Sequence, residues 1–167
     1  MTSTSYVDAN LYHDLLSGKA ATRVLHFVNQ TPINSFTKKQ ETVETATYGS
    51  EFTASRVAVQ QISGLWQALQ YLGIPISESS YLFGDNESVV KSGSIPHSWL
   101  SKRHHALAYH YTREAVASGM VRFYHISGEI NPADVLSKHW GHSQAYPLLR
   151  PLLFYRGNTL DILKEET

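Results

Sequence analysis

Four acidic residues stand where carboxylates are either unusual or chemically useful. They are Asp8 inside a predicted strand, Glu51 in the first turn of a long predicted helix, Asp85 at the end of a predicted buried strand, and Asp134 in the first turn of a late predicted helix. A carboxylate inside a strand is unfavourable without a partner. Strand ends and helix starts are where α/β folds gather their sites. Hard divalent cations prefer oxygen ligands, and several carboxylates are needed to bind two ions about 4 Å apart.

Each acid also has an ordinary structural explanation. Acids in the first turn of a helix, such as Glu51 and Asp134, are stabilised by the helix dipole. Asp134 follows Asn131 by three residues and fits common helix-start chemistry. Asp85 and Asn86 together fit a turn. Spacing alone therefore leaves both a shared metal centre and separate structural roles open.

The elements that would position these acids follow from the apolar periodicity. Strands are predicted at 5–10, 24–29, 33–37, 81–84 and 121–126, and helices at about 51–72, 86–91, 99–118 and 131–141. The order of three strands followed by alternating helices and strands predicts a mixed sheet with helices packed on it.

If the four acids converge on one site, their negative charges repel one another when no metal is bound. Neutralisation of Asp8 or Asp85 should then relieve this repulsion and leave the metal-free protein as stable as the unchanged protein, or more stable.

The composition of the chain limits its function classes. Its 167 residues are 42% hydrophobic and 17% charged, with 14 basic and 14 acidic residues. These values predict one globular domain. Residues 147–153 are rich in proline and leucine, so we assign 1–142 to the domain and 143–167 to a C-terminal tail that docks on it or leaves it. Because the net charge is zero, nucleic-acid binding would need a local basic patch. The lack of cysteine excludes disulfides and thiolate metal sites. No apolar run reaches membrane length, and the first residues lack the charged-then-apolar pattern of a signal peptide. Together with the lack of cysteine, this leads us to expect an intracellular protein without a membrane partner.

Six segments resemble, in order, the ribonuclease H domain of copia-type LTR retrotransposon Pol polyproteins. Residues 6–10 resemble "YSDADW", 38–43 "SKKQ-TV", 48–54 "TEAEY-A", 83–89 "CDNQSA", 102–114 "KH…YHFIRE" and 131–138 "NPADILSK". Asn10 stands where the family commonly has an acid, and His105-Ala106 departs from the usual residues after the helix histidine. Neither departure removes a residue that the resemblance assigns to metal binding.

This resemblance implies a ribonuclease H-like α/β fold with a mixed five-stranded sheet and helices on both faces. It implies a hydrolase, an endonuclease that cuts the RNA strand of RNA–DNA hybrids during reverse transcription, with two Mg²⁺ ions for which Mn²⁺ can substitute. Asp8 would contact both ions, Asp134 would complete the ion that activates water, and Glu51 and Asp85 would bind the ion at the leaving 3′ oxygen. The products would carry a 5′-phosphate and a 3′-hydroxyl.

Two alternatives stay open beside this activity. One is a DNA integrase or transposase on the same fold, although the acid order Asp, Glu, Asp, Asp favours ribonuclease H over the integrase order Asp, Asp, Glu. The other is a non-catalytic hybrid-binding or structural domain of a reverse transcriptase. The resemblance implies the polymerase portion of the same polyprotein as a partner, a monomeric isolated domain, and a cytoplasmic virus-like particle as its location.

Further residues are candidates for the same activity. His125, near a strand end, is a candidate catalytic residue that moves protons near neutral pH, with a plain strand histidine as the alternative. Asn86 and Glu87 follow a presumed metal ligand and are candidates for contact with the RNA 2′-hydroxyl. Four basic residues are candidates for phosphate contacts, namely Lys38, Lys39, Lys102 and Arg103.

Overall fold

A computed structural model describes residues 1–150, except 15, 30, 45, 77, 99, 101–104 and 138–140. Its strands are β1 (Ser3–Asp14), β2 (Lys19–Val28), β3 (Thr31–Lys39), β4 (Ser80–Gly84) and β5 (Val121–His125). Its α-helices are α1 (Thr47–Tyr71), α2 (Glu87–Ser94), α3 (Ala106–Ala117) and α4 (His142–Leu149). Two 3-10 helices, Gly128–Ile130 and Pro132–Ser137, lie between β5 and α4.

The five strands form one mixed sheet in the order β3-β2-β1-β4-β5. β1 and β2 pair antiparallel, as do β2 and β3, whereas β1 pairs parallel with β4 and β4 with β5. Gly84, the last residue of β4, pairs with both Val7 and His125. Asp8, the next residue of β1, and Asp85, the first residue after β4, therefore lie side by side, and His125 lies on the other side of Asp85. The predicted mixed five-stranded α/β fold is confirmed.

The apolar core lies between the sheet and the helices. Alternating residues of the central strands share one buried cluster with α1 and α3: Val7, Val24, Leu82, Phe123, Phe52, Val59, Ile62 and Tyr109. Alternation places the other residues on the opposite face, where the Phe83 ring stacks on those of Tyr6 and Tyr124 at centroid distances of 5.3 and 5.9 Å. α1 packs against β1 and β2, and this packing places its N-terminal turns beside Asp8.

The boundaries of the two long helices differ from those predicted. α1 begins at Thr47 rather than near 51, so Glu51 lies one turn inside it, and Leu72, the last residue of the predicted helix, follows the helix end and is 68% exposed. α3 begins at Ala106 rather than near 99. The Tyr109 hydroxyl and the Arg113 guanidinium both donate to the carbonyl oxygen of Ser98. These bonds place residue 98 alongside α3 and not on its axis, which explains the later start.

The segment after β5 also differs from its prediction as an α-helix over 131–141. Residues Pro132–Ser137 form a 3-10 helix. The Asn131 side-chain oxygen accepts from the Ala133 amide, and the Asp134 amide donates to the Asn131 carbonyl three residues earlier. This spacing is that of a 3-10 turn. A helix therefore begins after Asn131 as predicted, but it is a 3-10 helix and not the predicted α-helix.

The predicted C-terminal tail begins with helix α4, His142–Leu149, and 151–167 lie outside the described residues. The domain boundary at 142 stays a prediction. Among the helices described, none combines the length and the apolar character that crossing a membrane requires.

Candidate metal and nucleic-acid site

Three of the four predicted carboxylates converge. Asp8 on β1, Glu51 on α1 and Asp85 after β4 each offer an oxygen atom, and these oxygens lie within 4.8 Å of one another. Glu51 is anchored because its Oε1 accepts a 3.1 Å hydrogen bond from the Ala9 amide. Asp8 and Glu51 are buried and Asp85 is half-buried. The cluster is thus built by one strand, one strand end and the helix packed against both.

The cluster carries more negative charge than its surroundings accommodate. Burial and the nearby Asp85 and Asp8 raise the pKa of Glu51 well above its usual value. Burial, helped by Asp8, raises the pKa of Asp85 to about 6. Burial also raises the pKa of Asp8, against the hydrogen bond and charge of Arg23. Oxygen donors that repel one another fit a hard divalent cation, which would relieve that repulsion.

Asp134 lies next to this cluster on the 3-10 helix and is not one of the three converging residues. Its Oδ1 lies 4.0 Å from Nη1 of Arg23, and its side chain is 32% exposed. It is close enough to Asp8 and Asp85 for its charge to raise the pKa of both. All four acids therefore surround one site, with Asp134 at its more open side.

Arg23 is a site residue that the sequence analysis missed. It lies on β2 directly opposite Asp8, and its Nη1 donates to Asp8 Oδ2 at 2.6 Å. Its side chain is 1% exposed. The predicted second strand began at residue 24 and left Arg23 outside the sheet. The available signal was a charged residue directly preceding a run of β-branched and aromatic residues.

The other predicted residues around Asp85 have distinct surroundings. The exposed His125 is placed with Nε2 3.1 Å from the carbonyl oxygen of Asp85, and its charge lowers the Asp85 pKa. Asn86 caps α2, because its Oδ1 accepts from the Val89 amide at 3.2 Å. Glu87 is exposed and its Oε1 lies 2.7 Å from Nζ of Lys91. His125 and the start of α2 thus border the carboxylate cluster.

The predicted basic residues fall into two groups. Lys38 and Lys39 lie on the edge strand β3 and are exposed, and Nζ of Lys38 lies 3.6 Å from Glu41. Both line a cavity of about 580 Å³, which also contains Arg56 from α1, a cation that the sequence analysis did not select. Lys102 and Arg103 lie outside the described residues. The cavity therefore brings three cations to one side of α1.

Comparison with known sequences gives relatives over most of the chain. It is 26% identical over 134 residues to the retrovirus-related Pol polyprotein from transposon RE2 of Arabidopsis thaliana. It is 27% identical over 133 residues to that from transposon TNT 1-94 of Nicotiana tabacum. Each match covers 80% of this chain but only 9% and 10% of the relatives, so the chain spans about a tenth of their length. No family model matches the chain.

Comparison with solved structures gives ribonucleases H. LC11-RNase H1, isolated from compost, matches with a TM-score of 0.60 and 18% identity, over 81% of this chain and 91% of that one. RNase H1 of the archaeon Halobacterium salinarum NRC-1 matches with a TM-score of 0.55 and 13% identity, over 90% and 99%. A foamy viral protease-reverse transcriptase bound to an RNA/DNA hybrid matches with a TM-score of 0.56 and 10% identity, over 87% and 20%. The chain thus has the ribonuclease H fold and, over four fifths of its length, is similar to a segment of the Pol polyproteins of plant copia-type transposons.

Proposed function

We propose that the protein is a ribonuclease H that hydrolyses the RNA strand of RNA–DNA hybrids with divalent metal ions. The observation that carries this proposal is the convergence of Asp8, Glu51 and Asp85 within 4.8 Å on a ribonuclease H fold. Similarity to Pol polyproteins supports a role in reverse transcription. A solved relative of this fold is described in complex with an RNA/DNA hybrid, which supports the substrate.

The four carboxylates have separable roles in this proposal. Glu51 and Asp85 would bind one ion together with Asp8, and Asp134, near Asp8 on the more open side, would help to hold a second. When bound, Mg²⁺ or Mn²⁺ would polarise the scissile phosphate, activate the attacking water and stabilise the leaving 3′ oxygen. The amide of Ala9 orients Glu51, and His125, beside Asp85, moves protons at the solvent side of the site.

Recognition of the hybrid would use the two sides of the cluster. Asn86 and Glu87 at the start of α2 are adjacent to Asp85, where a 2′-hydroxyl of the RNA strand would distinguish RNA from DNA. Lys38 and Lys39 lie on β3, two strands from Asp8, at a distance of roughly 10 Å. With Arg56 they line a cavity that would receive phosphates of the DNA strand, although Glu41 and Glu44 line it as well. Lys102 and Arg103 are proposed for the same purpose from the resemblance.

A second candidate function is a non-catalytic hybrid-binding domain. The observation that favours it is the position of Arg23. Its buried guanidinium is bonded to an oxygen of Asp8 and neutralises part of the negative charge that a site with two metal ions would use. An integrase or transposase on the same fold has no comparable observation in its favour. The polymerase portion of a Pol polyprotein as partner, the monomeric state and a cytoplasmic virus-like particle as location belong to the proposal as well.

The test is a strand-cleavage assay with matched substrates. An RNA–DNA hybrid and a DNA–DNA duplex of one sequence are incubated with the protein in Mg²⁺, Mn²⁺, Ca²⁺ or EDTA. We expect RNA-strand cleavage in Mg²⁺ or Mn²⁺ and little in Ca²⁺, whose looser coordination positions water poorly. Glu51→Gln should abolish cleavage, and Glu114→Gln, on the exposed side of α3, should not.

Each other outcome points to one alternative. Hybrid binding without cleavage in any metal would establish the non-catalytic domain. Cleavage of the DNA duplex at an equal rate would establish a nuclease of the integrase or transposase type.

A further inference from the structure

Arg23 places a permanent positive charge inside the carboxylate cluster. Its guanidinium stays ionised at any pH at which the protein is folded. Nη1 lies 2.6 Å from Oδ2 of Asp8 and 4.0 Å from Oδ1 of Asp134. The guanidinium therefore lies against the two carboxylates that, in the proposed function, share the second metal ion.

Burial and the pairing of its backbone on both sides fix the position of Arg23. Arg23 is fully buried, and β-sheet pairing on both sides, with Asp8 on β1 and Thr37 on β3, fixes its backbone. Its Nε and Nη2 atoms are buried and find no hydrogen-bond acceptor among the described residues. Buried donors without acceptors are costly, so the bond to Asp8 is the main compensation for burying this charge. Its charge also acts on Glu51, where it partly opposes the rise in pKa that burial and the neighbouring acids cause.

Charge balance then limits the number of metal ions. The four carboxylates carry four negative charges when ionised, and two divalent ions balance them. Arg23 already supplies one positive charge, so one divalent ion leaves the site with a single negative charge and two ions leave it with a net positive charge. A second ion between Asp8 and Asp134 would lie within a few ångströms of the buried guanidinium, and like charges at that distance repel one another even where one side of the site is open to solvent.

We propose that Arg23 takes the place of one of the two divalent ions. The protein then binds one ion tightly at Asp8, Glu51 and Asp85, and a second ion at Asp8 and Asp134 only weakly. This inference rests on the proposed function for the identity of the ions as Mg²⁺ or Mn²⁺. In this arrangement, population of the second site requires displacement of Arg23 from Asp8 or a high metal concentration.

The test counts bound ions and does not use cleavage. Mn²⁺ binding to the full chain is measured by calorimetry and by electron paramagnetic resonance of the free ion, for the wild type, Arg23→Met and Arg23→Lys. Arg122→Met is the control, because Arg122 is an exposed arginine on β5. We expect one tight site in the wild type, and binding of the second ion at least about tenfold tighter in Arg23→Met, the factor expected from a close charge pair. Arg23→Lys and Arg122→Met should bind like the wild type.

Two outcomes would overturn the inference. One is a wild type that binds two ions with the affinities of Arg23→Met, and the other is an Arg23→Met protein that gains no second ion. If Arg23→Met does not fold, the wild type decides by itself, because two ions bound with similar affinity would contradict the inference. Asp134→Asn then checks the assignment of the tight ion. Asp134→Asn should keep the affinity of the tight ion within about threefold, since that ion does not use Asp134, and a loss of about tenfold or more would contradict the assignment.

The result is separable from the proposed function. One tight ion without cleavage of hybrids would retain the metal assignment and reject the nuclease. Cleavage of hybrids by a wild type with two equally tight ions would retain the nuclease and reject the role of Arg23. Absence of any bound Mn²⁺ would reject both.

Discussion

The side chain of Asn131 ties the helix of Asp134 to the strand of Asp8. Its Nδ2 donates a 2.9 Å hydrogen bond to the carbonyl oxygen of Val7, a residue 124 positions away in sequence. Its Oδ1 accepts from the Ala133 amide at 3.1 Å, and the residue is fully buried. One amide group therefore sets both the start of the 3-10 helix and its place beside β1, so that Asp134 faces the cluster.

Replacement of Asn131 should uncouple these two parts. Asn131→Ala removes one hydrogen bond from the buried Val7 carbonyl and one from the Ala133 amide, and such loss costs about 1–3 kcal/mol in the free energy of unfolding. Urea unfolding in EDTA measures this cost, and Asn34→Ala, at an exposed position on β3, is the control. The proposal also requires cleavage by the folded variant to fall, since Asp134 loses its anchor. A variant with full stability would show that the Val7 bond contributes nothing.

Asp8→Asn should destabilise the metal-free protein. Relief of repulsion among the acids alone predicts the opposite, but Asp8 is the partner of the buried Arg23. Burial raises the pKa of Asp8, so removal of its charge is by itself favourable, but it leaves the buried Arg23 without its counterion. We expect the second effect to be larger and, because Asn still accepts a hydrogen bond, a net loss of about 1–4 kcal/mol. Unfolding in EDTA measures it, and the double variant Asp8→Asn with Arg23→Met should recover part of the loss. Unchanged stability of the single variant would mean that the pair is not formed in solution.

Asp85→Asn should have the opposite effect, and only at higher pH. The pKa of Asp85 is raised from 3.8 to about 6, so the folded state binds more protons than the unfolded state between these values. Stability of the metal-free protein is then lost as pH rises through that window. The neutral Asn avoids the loss, and we expect the variant to exceed the wild type by roughly 1–3 kcal/mol at pH 7.5 and to match it near pH 4. Unfolding free energies at both pH values check this, and an equal difference at both would contradict it.

His125→Ala should slow cleavage without abolishing it. His125 is exposed, borders Asp85, and has no part in the buried core. Loss of a proton-moving group lowers turnover by about 100-fold or less, while binding of the hybrid is retained. Single-turnover rates and hybrid affinity are measured together at constant Mg²⁺. Full activity of the variant would show that His125 is an ordinary exposed histidine at the end of β5 with no role in catalysis.

Lys38→Ala combined with Lys39→Ala should flatten the salt dependence of hybrid binding. Each lost phosphate contact lowers the slope of log affinity against log salt by roughly 0.7–0.9. Because Lys38 also has Glu41 as a neighbour, Glu41→Gln is the matched control and should not flatten the slope. An unchanged slope in the double variant would place both lysines on an ordinary solvated surface.

Local sequence determined the elements and the positions of most candidate residues. The run Tyr81–Gly84 followed by Asp85, and the Asn131-Pro132 start before Asp134, are short-range signals, because strand alternation and helix capping depend on neighbours in sequence. The family motifs added the expectation that the four acids share one site. These signals were sufficient for the mixed sheet and for the choice of Asp8, Glu51 and Asp85.

Only the tertiary structure decided what surrounds those acids. Arg23 meets Asp8 because the β1–β2 register pairs the two residues, and register depends on how the whole hairpin buries its apolar face. Asn131 reaches Val7, and Ser98 folds back along α3, through side-chain bonds between distant segments. Contacts between distant segments produce no periodic pattern or local motif in the sequence, so they cannot be predicted from it. The acids were therefore visible in the sequence, whereas the buried cation that competes for them became visible only when the strands were paired.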